Sequence, residues 1–172
     1  MHKEQVRILR LPHGSFFKIS QNFLLRRLVV MGVMSAQHLE VLETTVQKTH
    51  QWLEAISDRS HLDTHQSYQA LRAVLQTLRD RLPSNEAAHL AAQLPILIRG
   101  IFYEGWRPSD SPDPMDCSEF LQRVADKIVT PRSIDPEAVT KHVLGVMADF
   151  LAEGELDKIS RILPKDFRDL FE

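Results

Sequence analysis

The block Leu-Pro-x-x-x-Arg-x-x-Phe occurs twice in this chain, at 94–102 and again at 163–171, a displacement of 69 residues. Sliding the sequence by that distance aligns 70–102 with 139–171 without a gap. Nine identities result, among them Val74/Val143, Leu75/Leu144, Asp80/Asp149, Leu82/Leu151, Glu86/Glu155 and Arg99/Arg168. Leucines coincide easily between two helices, but a proline, an arginine and a phenylalanine at fixed offsets do not. Apolar exchanges such as Leu78/Met147, Leu90/Ile159 and Ile98/Phe167 fill the positions between. A shift of 68 further aligns 52–59 with 120–127, so one residue separates the two blocks. A unit of about 55 residues buries little apolar surface alone, so two copies are expected to share one core.

The period within each copy is helical. Leu39, Leu42, Val46, Thr49, Leu53 and Ile56 step by three and four, which is one apolar stripe along a helix, and Trp52 broadens it. At about three heptads the stripe is short for a coiled coil, so packing within its own bundle is expected. Asp63 followed by Gln66 announces the next helix, which carries Leu71, Val74, Leu75, Leu78 and Leu82 and stops at Pro83. Ser84 is expected to cap a third helix, and Pro95 either to kink that helix or to open a fourth that ends near Gly105. The stretch 107–116 holds three prolines and no period, the mark of a stiff connector. Asp116 and the triplet Asp135-Pro136-Glu137 then start two more helices, and Gly154 breaks the second. The expected fold is all-α: two tandem repeats of a roughly four-helix unit packed into one orthogonal helical bundle. The first repeat is 34–106, the linker 107–116 and the second repeat 117–172.

Charge isolates the remaining segment. Residues 1–33 hold six basic side chains against Glu4 alone, whereas the rest holds 15 basic and 22 acidic residues. Three readings of this basic extension stand: a mis-assigned start with translation beginning at Met34, an amphipathic arm making a weak membrane or partner contact, or a cleaved export signal. Its longest uncharged apolar stretch, 28–34, falls far short of the roughly 20 residues that span a bilayer, so no transmembrane segment is expected. A net charge of −2 removes the basic excess expected of a nucleic-acid binder. One cysteine excludes an internal disulfide framework and any multi-cysteine metal site.

From about Met34 to the end, the chain resembles the bacterial domain-of-unknown-function family numbered 2267. The residues that carry this are Leu71-Arg72-x-Val74-Leu75-x-x-Leu78-Arg79-x-Arg81-Leu82, Gln93-Leu94-Pro95, and Arg99-Gly100-x-x-Tyr103-x-Gly105-Trp106. The second half repeats the pattern with Glu153-Gly154-Glu155 and Leu163-Pro164-x-x-x-Arg168. The resemblance implies an all-helical cytoplasmic protein, and the family supplies no catalytic residues to carry over.

The candidate chemistries are thin. His61 and His65 have the i, i+4 spacing of paired metal ligands, but Asp63 reads as a helix cap between them and no third ligand follows. Asp110, Asp113 and Asp116 lack the glycine and closing glutamate of a calcium loop. Cys117 opens a helix without an adjacent base, and His142 falls on a core-facing stripe as a boundary histidine. Glu86 with Arg99, and Glu155 with Arg168, are expected to form bridges within each copy. The most distinctive cluster is Phe102, Tyr103, Trp106 and Arg107. It either anchors the linker or forms an interaction patch, since Tyr, Trp and Arg dominate binding hot spots. No enzyme, metal or cofactor is expected. The expected function is that of an interaction or scaffold protein that binds a partner or forms a homodimer. The alternative is a small-molecule or regulatory-ligand binder with a pocket between the repeats, lined by Phe102, Tyr103, Trp106 and Phe167.

Overall fold

The computed structural model describes residues 6–10, 16–129 and 134–172, with side chains from residue 39 onward. It comprises two units, Met1–Thr44 and Thr45–Glu172. In the first, β1 (Val6–Arg10) and β2 (Phe16–Ser20) pair antiparallel, with Val6 opposite Ser20 and Arg10 opposite Phe16. Helix α1 (Gln21–Ser60) follows, beginning well ahead of the start expected at Ser35. Residues 11–15 lie outside the described residues.

The second unit is entirely helical among its described residues. After α1 come α2 (Thr64–Arg81), α3 (Ser84–Gln93), α4 (Ile96–Tyr103), a 3-10 turn at Pro108–Asp110, α5 (Cys117–Lys127), α6 (Pro136–Phe150), α7 (Glu155–Ile162) and a 3-10 segment at Lys165–Leu170. The starts are written in the sequence. Asp63 accepts from the Gln66 amide at 2.8 Å while the Gln66 side chain accepts from the Asp63 amide at 3.1 Å, a complete capping box. Asp116 accepts from the Glu119 amide, and Asp135 from those of Glu137 and Ala138. Glu119 does not reciprocate, because its carboxylate goes to Arg123 instead. Ser84 is not the cap expected of it. Pro83 occupies that position, and the Ser84 hydroxyl donates to the Pro108 carbonyl at 3.0 Å. Gly105 and Gly154 take positive φ where α4 ends and α7 begins, a conformation other residues adopt only at a cost.

Helix α2 is the centre of the core. Ala70, Leu71, Ala73, Val74, Leu75, Leu78 and Leu82 are buried on it, together with Ser67, Gln76, Thr77 and Arg79. A helix buried nearly all round gains by satisfying its polar side chains internally, although Ser67 Oγ is buried without a hydrogen-bond partner among the described residues. Accordingly, Thr77 Oγ1 donates back to the Ala73 carbonyl at 2.8 Å. Helix α5 packs chiefly on α2, and α6 packs on both α2 and α5. Val143, Leu144, Val146 and Met147 of α6 are buried, as are Phe120 and Val124 of α5 and Ile159, Leu163, Phe167 and Leu170 towards the end.

Two expectations about side chains are corrected. No Glu86–Arg99 bridge forms. Arg99 donates to the carbonyls of Ala91 at 2.8 Å and of Ala92 and Leu94 at 3.1 Å, serving the unpaired acceptors at the end of α3. Glu86 instead meets Asn85 and His89, and Glu155 pairs with Lys158 rather than with Arg168. The α1 stripe also divides. Trp52, Leu53 and Ile56 are buried, with Trp52 stacked on Phe150, but Leu39 is 53% exposed, Leu42 63% and Val46 45%. Trp52 and Arg59, in the last turns of α1, meet Phe150 and Asp149 of α6.

Candidate functional site

The Phe102–Arg107 cluster sits where α4 ends, and its geometry begins with backbone chemistry. The last carbonyls of a helix have no partner within it. Here α2 supplies the donors: Gln76 Nε2 to the Ile101 carbonyl at 3.1 Å, and Arg79 Nη1 to the carbonyls of Phe102 and Glu104. Arg79 is only 4% exposed, and its Nε also donates to Asp80 Oδ1 at 2.8 Å. Arg72 Nε donates to Glu104 Oε2 at 2.8 Å and holds that carboxyl below the usual carboxylate range.

Gly105 then turns the chain, and the Trp106 amide donates back to the Tyr103 carbonyl at 3.1 Å. The Trp106 ring stacks on Tyr103 with centroids 5.2 Å apart, and its Nε1 donates to Ser111 Oγ at 3.0 Å. Phe102 is therefore a core residue, Tyr103 and Trp106 are half-buried, and Arg107 is exposed. Phe167 is buried too, edge-on against Phe120. The pocket expected between Phe102, Tyr103, Trp106 and Phe167 loses two of its walls to the core.

Beyond Trp106 the linker is fastened down. The Asp113 amide donates to the Asp80 carbonyl at 2.8 Å, Arg81 Nε to the Met115 carbonyl at 2.9 Å, and Arg123 pairs with both Asp113 and Glu119. A cleft of about 200 Å³ opens between Arg79, Asp80, Arg107, Asp110 and Asp113. Its inner charges are compensated, since Asp80 is held by Arg79 and lies 3.8 Å from Lys127. Lys127 Nζ also donates to Thr77 Oγ1 at 3.1 Å, and burial lowers its pKa. Pairing of this kind, Asp80 between Arg79 and Lys127, holds the local shape.

The other sequence candidates scatter. His61 sits between α1 and α2 with φ of 57°, and His65 Nδ1 meets Gln69 at 3.3 Å, so the two imidazoles share no helix. Among the described residues no three His, Cys, Asp or Glu side chains gather around a metal position. Asp110 accepts from Ser109, Asp113 pairs with Arg123, and Asp116 caps α5. The Cys117 thiol is pushed up by burial and by Asp166, whose carboxylate accepts from the Cys117 amide at 2.8 Å. His142 is half-buried, and its Nδ1 is buried without a hydrogen-bond partner among the described residues. Among the described residues no helix is long and apolar enough to cross a membrane.

Arg79 and Lys127 escaped the sequence reading. The signal for Arg79 was its place next to Leu78 and one turn after Leu75, on the margin of the apolar stripe. The exposed Leu39 and Leu42 were read as core because periodicity reports a face but not what covers it.

No curated protein matches the chain. A family model described as Uncharacterized conserved protein (DUF2267) matches residues 49–170. The match takes in Trp52 at one end and Phe167 at the other, and with them the whole helical core just described. The chain belongs to the DUF2267 family.

Proposed function

We propose that this chain is a helical interaction module that pairs with a second copy of itself through α1. The observation that carries the reading is the exposure of Leu39, Leu42 and Val46 along that helix. Contiguous exposed apolar surface marks interaction sites. Spacing of three and four is what a like helix matches when two stripes meet. Sedimentation velocity of the full chain is expected to show a concentration-dependent dimer, and Leu42→Lys is expected to leave a monomer of unchanged helix content. A wild-type chain that stays monomeric across the micromolar range overturns the reading.

The reading includes an internal duplication, two copies of one helical unit around a shared core. Four matched apolar pairs support it: Val74 and Val143, Leu78 and Met147, Leu90 and Ile159, and Ile98 and Phe167 are all buried. Two ion pairs add support. Arg59 and Lys127 correspond under the 68-residue shift, and Asp80 and Asp149 under the 69-residue shift. Arg59 pairs with Asp149 and Lys127 with Asp80, so each copy's cation reaches the other copy's aspartate. A cytoplasmic location belongs to the same reading and suits the free thiol of Cys117.

A further inference from the structure

A second cleft, of about 300 Å³, lies between α6, the start of α7 and the end of the chain, with Arg59 of α1 at its edge. We propose that it binds a small zwitterion with an apolar body, of the α-amino-acid class.

The lining has three parts, and each dictates one part of the ligand. Cationic groups come from α1 and α6, as Arg59, which pairs with Asp149, and Lys141, whose Nζ lies 3.5 Å from Glu137; acidic groups come from α7 and the chain end, as Asp157 and Glu172. Between them lie Leu156, Leu170 and Phe171. A simple anion would meet Asp157 and Glu172, and a simple cation would meet Arg59 and Lys141. A molecule carrying both charges close together satisfies both sets, and its apolar remainder takes the leucine and phenylalanine surface. The volume sits at the small end of ligand pockets, which run from about 300 to 1,000 Å³, and so admits a molecule of amino-acid size.

Two local features prepare the cationic side. Gly145 has no Cβ, and one placed there would collide with Arg59 Nη1, so the guanidinium rests directly on the α6 backbone. Among the described residues Asp149 is its one hydrogen-bond acceptor, which leaves further N–H donors for a ligand carboxylate. One turn before Gly145, His142 lines the same cleft with its Nδ1 unpaired.

The test is a thermal-shift screen of the full chain against the common L-amino acids at millimolar concentration. An apolar member is expected to raise the midpoint by mass action. The hit is then compared by calorimetry with its deaminated acid and its decarboxylated amine, each expected to bind at least about tenfold more weakly. Arg59→Gln and Asp157→Asn, both at exposed positions, are expected to weaken the hit by a similar factor while keeping the unliganded midpoint near that of the wild type. A screen in which no amino acid raises the midpoint overturns the proposal. So does a hit that binds equally well without either charged group, or undiminished binding by either variant.

Discussion

The guanidinium of Arg59 lies across the backbone of Gly145 and pairs with Asp149 one turn further along α6. A glycine in the middle of a helix ordinarily costs about 1 kcal/mol relative to alanine. Gly145→Ala recovers that but displaces Arg59, and the partly exposed Arg59–Asp149 pair is worth at most about 1 kcal/mol. The two effects nearly cancel. Gly145→Ala alone is expected to change stability by less than about 0.5 kcal/mol, and to stabilise by about 1 kcal/mol in an Arg59→Ala background. Chemical denaturation of the four proteins measures the coupling; additive effects would mean that Arg59 does not rest on Gly145.

Arg79 ties the end of α4 to α2 from a buried position. Arg79→Ala strands the Phe102 and Glu104 carbonyls and leaves Asp80 short of its nearest cation. A loss of about 3–5 kcal/mol is expected. Arg79→Lys is expected to recover less than half, because one ammonium cannot reach three acceptors in the guanidinium's fixed geometry. Urea midpoints at equal slope test both.

Lys127 gives stability a definite pH dependence. Its pKa in the folded chain lies below the ordinary 10.5, chiefly because burial penalises the ammonium. Between the two values the unfolded chain binds more protons than the folded one, so stability rises with pH across that window. Lys127→Met is expected to remove the rise and leave the neutral-pH stability little changed. Guanidinium denaturation from pH 7 to 10 reads the difference between the two proteins.

Cys117 acts with the opposite sign. Its thiol lies above the ordinary 9.0 in the folded chain, from burial first and then from Asp166 and Glu137. Stability present below pH 9.0 is therefore lost as pH rises towards the folded value, and Cys117→Ser is expected to abolish that loss. Iodoacetamide is expected to alkylate Cys117 at pH 8 several-fold more slowly in the native chain than in urea, since the thiolate is the nucleophile.

The proposed duplication makes a quantitative claim about the core. Val74→Ala and Val143→Ala each remove two methyl groups from fully buried positions. Losses of about 2 kcal/mol each, equal to within about 0.5 kcal/mol, are expected if the two valines fill equivalent sites. Calorimetric midpoints that differ by more than this count against equivalence.

Much of this was legible in the residues. Asp63, Asp116 and Asp135 marked helix starts because a capping carboxylate is a local device, decided within three or four residues. Pro83, Pro95 and Gly105 ended or opened helices for reasons equally local. The stripe through Val74, Leu75 and Leu78 gave the core, since few arrangements bury such a helix. Long-range partners were not legible. Arg99 was paired on paper with Glu86 and went to three carbonyls of α3, because an arginine with five donors takes whatever acceptors the tertiary fold presents. Leu39 and Leu42 were assigned to the core for a related reason: a stripe shows which side of a helix is apolar, and its length is no measure of how much covers it. For Trp106 the sequence left two roles open; its Nε1 donates to Ser111 Oγ and its ring stacks on Tyr103.

The fastening of the linker has a consequence for how the chain breaks. Ser109 and Asp110 are exposed on a 3-10 turn, while Trp106 is secured to Ser111, Asp113 to Asp80 and Arg123, and Met115 to Arg81. A protease that nicks the chain there severs one covalent bond and releases nothing: α5 remains seated on α2, and the two fragments travel together until a denaturant separates them.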